Sequence, residues 1–259
     1  MEESRPLGVP ELGAVDMSML AEALRRGWAD MRQAPLYAVV FAGVYVAIGW
    51  LMVAVTWLSG QTYWLVFAAV GFPLFGPFAA VGFYEVSHRL EQGRPLLPEA
   101  IFGVVAHQRR RQLPSISAVI IVMFLFWFFL AHTIFALFLG FSTMTNVSTS
   151  YEIYLTWEGL SMLAFGTAVG AAFALLLYMI TVISLPLLLD REVDFVTAMI
   201  TSFQTVQENP GPMLAWAVFI AVVTFVALLP GFLGLFIVLP LLGHATWHLY
   251  RLICAAGEV

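Results

Sequence analysis

Apolar residues run along this chain in long blocks rather than alternating with polar ones. A helix needs about 20 apolar residues to cross a bilayer core about 30 Å thick. Six stretches reach or approach that length: Leu36–Leu58, Tyr63–Val86, Ile116–Phe141, Leu160–Leu189, Met213–Leu229 and Phe232–Leu249. The pattern predicts an all-α polytopic membrane protein with six transmembrane helices. The fifth and sixth share the break Leu229-Pro230-Gly231, which predicts a tight turn. The fourth is too long to stand upright and is expected to tilt, or to bend near Pro186.

Between the blocks lie three short stretches with helical periodicity. In Met17–Pro35 the residues Met17, Leu20, Leu24, Trp28 and Met31 fall on one face, with Glu22, Arg25 and Asp30 away from it. Pro98–Pro114 places Ile101 and Val105 on its apolar side, and Asp194–Pro210 places Phe195, Met199, Phe203 and Val206 there. A ring precedes a proline by the same interval each time: Trp28 and Pro35, His107 and Pro114, Phe203 and Pro210. Proline suits the first turn of the following helix, where its missing N–H costs nothing. The chain therefore reads as three pseudo-repeats over about 17–95, 96–192 and 193–252, each an amphipathic interfacial helix, a span and a return span. All three enter from the same side, so the repeat is parallel rather than inverted. Residues 1–16, acidic and broken by Pro and Gly, read as a flexible cytoplasmic N-terminus ahead of one membrane domain, 17–259.

Composition agrees with this pattern. Of 259 residues, 61% are hydrophobic and 10% charged, and mean hydropathy is +0.92. That leaves too few polar side chains to cover a water-facing surface. With 16 acidic residues against 11 basic ones, and no long basic block, nucleic acid is excluded as a partner. Every basic residue is Arg, which removes the phosphate-loop lysine and any lysine Schiff base. The single Cys, Cys254, excludes an internal disulfide and a cysteine-based metal centre. The N-terminus lacks the basic and early apolar regions of a signal peptide.

Arginine also orients the chain. Arg25, Arg26 and Arg32 precede the first span, Arg89, Arg94 and Arg109–Arg111 lie between the second and third, Arg191 between the fourth and fifth, and Arg251 after the sixth. The other connections have none, which predicts both termini in the cytoplasm. Arg109, Arg110 and Arg111 are expected to contact anionic lipid headgroups. Trp57, Tyr63 and Trp64 at one face, and Trp247 with Tyr250 at the other, are expected as interfacial anchors.

Candidate chemistry is sparse. Asp or Arg at the centre of a membrane helix costs about 2.5–3.5 kcal/mol, and the middles of the six spans carry no Asp, Glu or Arg. His132 stands within the third span, either as a haem or metal ligand or as a neutral, hydrogen-bonded imidazole. His244 and His248, at i and i+4, present two imidazoles on one helix face, and Glu85 and His88 end the second span at a similar depth. If the first and third units pack together, these four could converge on haem or a divalent metal. The competing reading makes the sixth helix end an amphipathic anchor. Gly166, Gly170 and Ala174 form a small-residue stripe for close helix packing, within the chain or in self-association. Pro73, Pro77, Pro186 and Pro240 are expected to kink their helices. Asp194 reads as the cap of the third amphipathic helix. No nucleophile, base and orienting group occur in a recognisable set, so the chain does not read as an enzyme.

Ser184–Phe203 (SLPLLLDREVDFVTAMITSF), together with the ENPGPM and LPLLGHATWHLYR stretches of Glu208–Arg251, resembles a bacterial family of multi-span inner-membrane proteins of unknown function. Some members carry the label of cytochrome c oxidase subunits. The resemblance runs from about Arg25 onward. It implies a helical inner-membrane protein and brings no catalytic residues with it. The dense histidines of a haem-copper catalytic subunit are lacking, so the chain would at most accompany such a complex. Three functions remain open: a non-catalytic accessory or assembly component of a membrane complex, respiratory by that label; a channel or facilitator for a small neutral or lipid-like solute, through the kinked helices; and a haem- or metal-binding membrane protein.

Overall fold

The computed structural model describes residues 6–60, 65–108, 111–140 and 151–258, with the side chains of 65–75 and 151 outside that description. Among these residues the chain is all-α, in the order α1 (Met17–Gln33), α2 (Pro35–Ser59), α3 (Leu65–Glu91), α4 (Pro98–Gln108), α5 (Leu113–Leu139), α6 (Trp157–Thr181), α7 (Ser184–Asp190), α8 (Phe195–Glu208), α9 (Pro210–Leu228) and α10 (Leu235–Gly257). Among the described residues four stretches are long and apolar enough to cross a membrane: Pro35–Ser59, Leu113–Leu139, Trp157–Asp190 and Pro210–Leu228. They coincide with four of the six expected spans. The other two expected spans fall on α3 and α10, helices whose C-terminal parts carry Glu85, His88, Glu91, His244, His248 and Arg251.

Local chemistry sets the helix ends. The Asp16 carboxylate accepts the Met19 N–H at 2.9 Å and caps α1, and Asp194 accepts the Val196 and Thr197 N–H groups and caps α8, as side-chain caps do. Pro35 and Pro210 each open a long helix and end the short one before it, because the residue ahead of a proline is pushed out of helical conformation. Ala34 (φ −124°, ψ 52°) and Asn209 (φ −124°, ψ 55°) occupy nearly the same position in dihedral space.

Burial is concentrated at the end of the bundle where α1 packs on the C-terminal half of α10. Leu20 and Ala23 of α1, Val81 and Tyr84 of α3, Leu187 and Leu189 of α7, Trp216 of α9 and Trp247, Tyr250 and Ile253 of α10 share one continuous core. Toward the far ends the apolar side chains turn outward: Trp57, Phe129, Leu137 and Phe225 are all exposed. Only 6% of the most apolar part of α5 is buried within the protein. Apolar flanks left uncovered by the protein itself are what a lipid solvent requires.

Helix α1 packs most extensively on α10, antiparallel to it: Gly13 meets Ala256, and Gly27 meets Ala245. The buried face is Leu20, Ala23, Gly27 and Asp30, which shares only Leu20 with the expected apolar stripe. Met17 and Trp28 are exposed, and Asp30, expected to point away, is buried. The backbone approach explains the difference: a Cβ on Gly27 would lie 2.7 Å from the Ala245 nitrogen. Two helices come closest along their smallest residues.

Residues 6–16, where the sequence suggests a flexible tail, form an extended arm. Leu7 bridges to Glu192, the Gly13 N–H donates to the Ile253 carbonyl at 2.9 Å, and the Val15 N–H donates to Asn209 Oδ1 at 2.8 Å.

The fourth expected span is broken in two. Its helix stops at Thr181 and restarts at Ser184, four residues before the expected pivot. Proline removes the hydrogen bond to residue i−4 and collides with that residue's carbonyl, and for Pro186 residue i−4 is Val182. The orphaned backbone is satisfied from α8: the Ile183 N–H donates to Ser202 Oγ at 3.0 Å, and the Ser202 hydroxyl donates to the Met179 carbonyl at 2.7 Å. Pro186 itself is buried within α7 and Pro240 within α10, while α3 continues through Pro73 and Pro77. A turn over 229–234 joins α9 to α10, with Gly231 and Phe232 at positive φ. Trp50 donates its indole N–H to the Gly231 carbonyl at 2.8 Å and holds that turn to α2.

Candidate functional site

The C-terminal ends of α3, α7 and α10 meet α1 in a polar cluster built into the core. Helical spacing puts Glu85, His88 and Glu91 on adjoining faces of α3, and His244, Trp247, His248 and Arg251 on those of α10. His248 Nε2 donates to Asp30 Oδ2 at 2.7 Å. Its Nδ1 lies 3.2 Å from Glu91 Oε1, outside hydrogen-bond alignment. The Trp247 indole N–H donates to Glu91 Oε2 at 3.2 Å, and Arg251 Nε lies 3.5 Å from the same oxygen. Arg251 also reaches toward Asp190 at 3.9 Å, whose carboxylate accepts the Tyr250 hydroxyl at 2.7 Å and Arg191 Nε at 3.3 Å. The result is a chain of polar contacts, Asp30–His248–Glu91–Arg251–Asp190–Arg191, that stitches α1, α3, α7 and α10 together.

Electrostatics at the edge of this chain follow from its contacts. Burial works to raise the Glu91 carboxyl, but His248, Trp247 and Arg251 outweigh it and hold the group below the usual carboxylate range. Burial raises the Tyr250 hydroxyl and, as the leading cause, the Cys254 thiol. A thiol held up in this way is unreactive.

The four residues expected to converge are brought to one region, but each has its own partner. Glu85 accepts Arg89 Nε at 2.6 Å. His88 stacks on Trp247, ring centroids 5.2 Å apart, and accepts the Gln92 amide. His244 shares a 2.8 Å hydrogen bond with Ser87 through Nδ1, sits edge-on to Phe83, and leaves Nε2 buried without a partner. His248 is taken by Asp30. Among the described residues no three His, Cys, Asp or Glu side chains are arranged to hold a metal ion, so the donor set does not fit a metal centre. His244 is fully buried against Phe83 and faces no open space; His132 is exposed and hydrogen-bonds its own helix, Nδ1 to the Phe128 carbonyl at 2.8 Å.

Trp247 and Tyr250, expected as interfacial anchors, are fully buried. Their polar atoms face carboxylates of α3 and α7 rather than water, which corrects the anchor reading for this end of α10. From sequence Asp30 is expected to point away from the packed face, Asp190 beside Glu192 and Asp194 reads as an acid–base carboxylate or a solvated loop charge, and Glu91 carries no expectation; in the structure Asp30 is buried and all three join the cluster. Only the spacing of Asp30 from Ala23 and Gly27 on one small-residue face hinted at burial.

The remaining candidates lie elsewhere. Gly170 faces α5, where a Cβ would lie 3.2 Å from Trp127 Nε1, and Gly166 faces Ile134 of the same helix; Ala174 is exposed. Arg111 pairs with Glu192 at 3.0 Å. Arg109, Arg110, Tyr63 and Trp64 lie outside the described residues, as does the side chain of Pro73.

Residues 65–190 match the family model DUF2189, a predicted integral membrane protein. This family has no known function, in keeping with the resemblance drawn from sequence. The DUF2189 match starts at the first residue of α3 and ends at the last residue of α7. It therefore contains Glu85, Glu91 and Asp190, whereas their partners Asp30, His248, Tyr250 and Arg251 lie outside it. No curated protein and no solved structure matches the chain.

Proposed function

We propose that this integral membrane protein is a non-catalytic accessory or assembly component of a membrane complex, working through helix packing. One observation carries the reading: the end of the bundle that gathers the polar residues is filled. Trp216, Trp247, Tyr250 and His244 are fully buried there, and the charged groups satisfy one another rather than facing a shared solvent space. Such a core holds helices in place and offers no pathway to a solute. In this reading α3 and α10 also cross the bilayer, giving six spans in the bacterial inner membrane with both termini cytoplasmic. The recurring order of short helix, long helix and return helix supports three pseudo-repeats, as do the matching conformations of Ala34 and Asn209. The exposed Met17 and Trp28 suit a helix α1 whose open side meets headgroups. The partner to try first is a respiratory complex, by the label that some members of the resembled family carry.

The test is affinity purification of the full chain in mild detergent after in-membrane cross-linking. Co-purification with one membrane complex at near-stoichiometric yield is expected. Recovery of the chain alone, with a reporter at Arg111 facing the periplasm, overturns both the role and the orientation.

A further inference from the structure

Helix α1 gives its small residues to α10, and this leaves Arg25, Trp28, Ala29 and Arg32, at i, i+3, i+4 and i+7, together on the opposite, exposed face. Trp28 is 44% exposed, and Ala29 leaves an open floor between the two arginines. Arg25 shares the Glu22 carboxylate with Arg26, at 2.6 and 2.7 Å. Arg32 makes no ion pair or hydrogen bond among the described residues. Asp30, the acid nearest to it in the helix, is buried on the far side against His248. Three guanidinium groups therefore stand against one carboxylate on this side of α1. We infer that the face binds the headgroup of an anionic phospholipid, with Arg32 as its anchor. The inference rests on the proposed reading in which the open side of α1 meets headgroups, and it adds which lipid is met and by which residues.

Position selects a lipid. Only Ala34 separates α1 from α2, and Arg32 precedes Leu36 by four residues. Leu36, Val40 and Val44, at i, i+4 and i+8 of α2, are all exposed and form one apolar flank at the start of a helix apolar enough to cross a membrane. The surface thus passes from an unpaired guanidinium to bare hydrocarbon within about 6 Å of helix rise, the change that a bilayer makes from phosphate to acyl chain. A phosphate held at Arg32 can lay its acyl chains along that flank, whereas a free anion or an acidic peptide would leave the flank bare. Charge selects the class of headgroup. The planar fork of arginine suits a phosphate, and the indole of Trp28, one turn away, belongs to the ring type favoured at headgroup level. A zwitterionic headgroup would bring an ammonium group to a face already in positive excess. A glycerol headgroup brings only hydroxyls beside its phosphate, so the attraction of basic residues for anionic lipid is kept whole.

The full-length protein, purified in mild detergent, is to be titrated by native mass spectrometry with phosphatidylglycerol, phosphatidylethanolamine and phosphatidylcholine. Preferential retention of phosphatidylglycerol is expected, and Arg32→Gln should weaken it about tenfold, the loss of one charge-assisted pair. A second measurement reconstitutes the protein in vesicles in which either the phosphatidylglycerol or the phosphatidylcholine carries brominated acyl chains, which quench nearby tryptophan. Subtracting the Trp28→Phe variant isolates the Trp28 signal, which brominated phosphatidylglycerol should quench more than brominated phosphatidylcholine at equal mole fraction. Arg32 and Trp28 are both exposed, so circular dichroism should show the fold of each variant intact. Equal retention of the three lipids, an unchanged preference in Arg32→Gln, or equal quenching of Trp28 by the two brominated lipids overturns the inference. Neither readout depends on a protein partner, so failure of the accessory role in co-purification leaves this result standing, and the reverse holds as well.

Discussion

His248 on α10 donates a 2.7 Å hydrogen bond to Asp30 on α1, across 218 positions of sequence and inside the core. This contact ties the first helix to the last and fixes the charge chain that runs on through Glu91 to Asp190. Breaking one side of a buried pair leaves the other side uncompensated, at a cost of about 3–5 kcal/mol. Asp30→Asn and His248→Leu should each lower the thermal midpoint of the protein in detergent substantially. The double variant Asp30→Leu/His248→Leu should lose less than the sum of the two, because it leaves neither member of the pair without the other. Additive losses would show that the two side chains are not coupled.

Gly27 sets the spacing of α1 from α10, since any Cβ there meets the Ala245 backbone at 2.7 Å. Gly27→Val should release the N-terminal arm, read as faster proteolysis within residues 6–16. Gly103→Ala, with nothing within 4 Å of the new Cβ, should leave the digestion pattern unchanged.

Ser202 is buried and supplies the partner for the Ile183 N–H at the break between α6 and α7. Ser202→Ala leaves that donor unpaired and should cost about 1–3 kcal/mol, measured by denaturant unfolding in micelles. Ser202→Thr keeps the hydroxyl and should recover part of the loss.

Gly170 packs on Trp127. Gly170→Leu should push α6 away from α5, lowering thermal stability and shifting the tryptophan emission. An unchanged melting curve would remove Gly170 from the α5–α6 seam.

Two surface carboxylates, half-buried Glu22 and exposed Asp194, make the protein sensitive to acid. Hydrogen bonds from Arg25 and then Arg26 hold Glu22 down to about 2, from an ordinary 4.5. The Thr197 hydroxyl, followed by backbone N–H groups, holds Asp194 below its ordinary 3.8. A depressed carboxyl pKa stabilises the fold above the unfolded value and loses that contribution as pH falls through the folded value. The thermal midpoint should therefore decline below about pH 4.5, chiefly toward pH 2. The gap between wild type and Asp194→Ala should be full at pH 6 and narrow below pH 3.8. A gap that persists at pH 2 would rule out ionisation of Asp194 as its source.

Helix placement was largely legible in the sequence, because its causes are local. Long apolar runs, prolines at 35, 114 and 210, and capping acids such as Asp194 act over a few residues, and the helices follow them closely. The break beside Pro186 was readable in the same way, although its position one turn upstream follows from the proline's clash with Val182. The polar cluster was only half legible. The i, i+4 spacing of His244 and His248 marked one face of α10, but the residues facing them lie far away in the chain.

What the sequence alone determined is the solvent: its apolar runs cannot be hidden in a chain of this size and demand lipid. What only the tertiary structure decided is which polar groups find one another. Asp30 looked like a surface acid, and Trp247 and Tyr250 looked like interfacial rings, because periodicity ranks a residue by its own polarity. Burial is set instead by the helix that arrives opposite. Gly27 let α10 come close enough to give Asp30 a histidine, and Glu91 and Asp190 gave the two aromatic rings their acceptors.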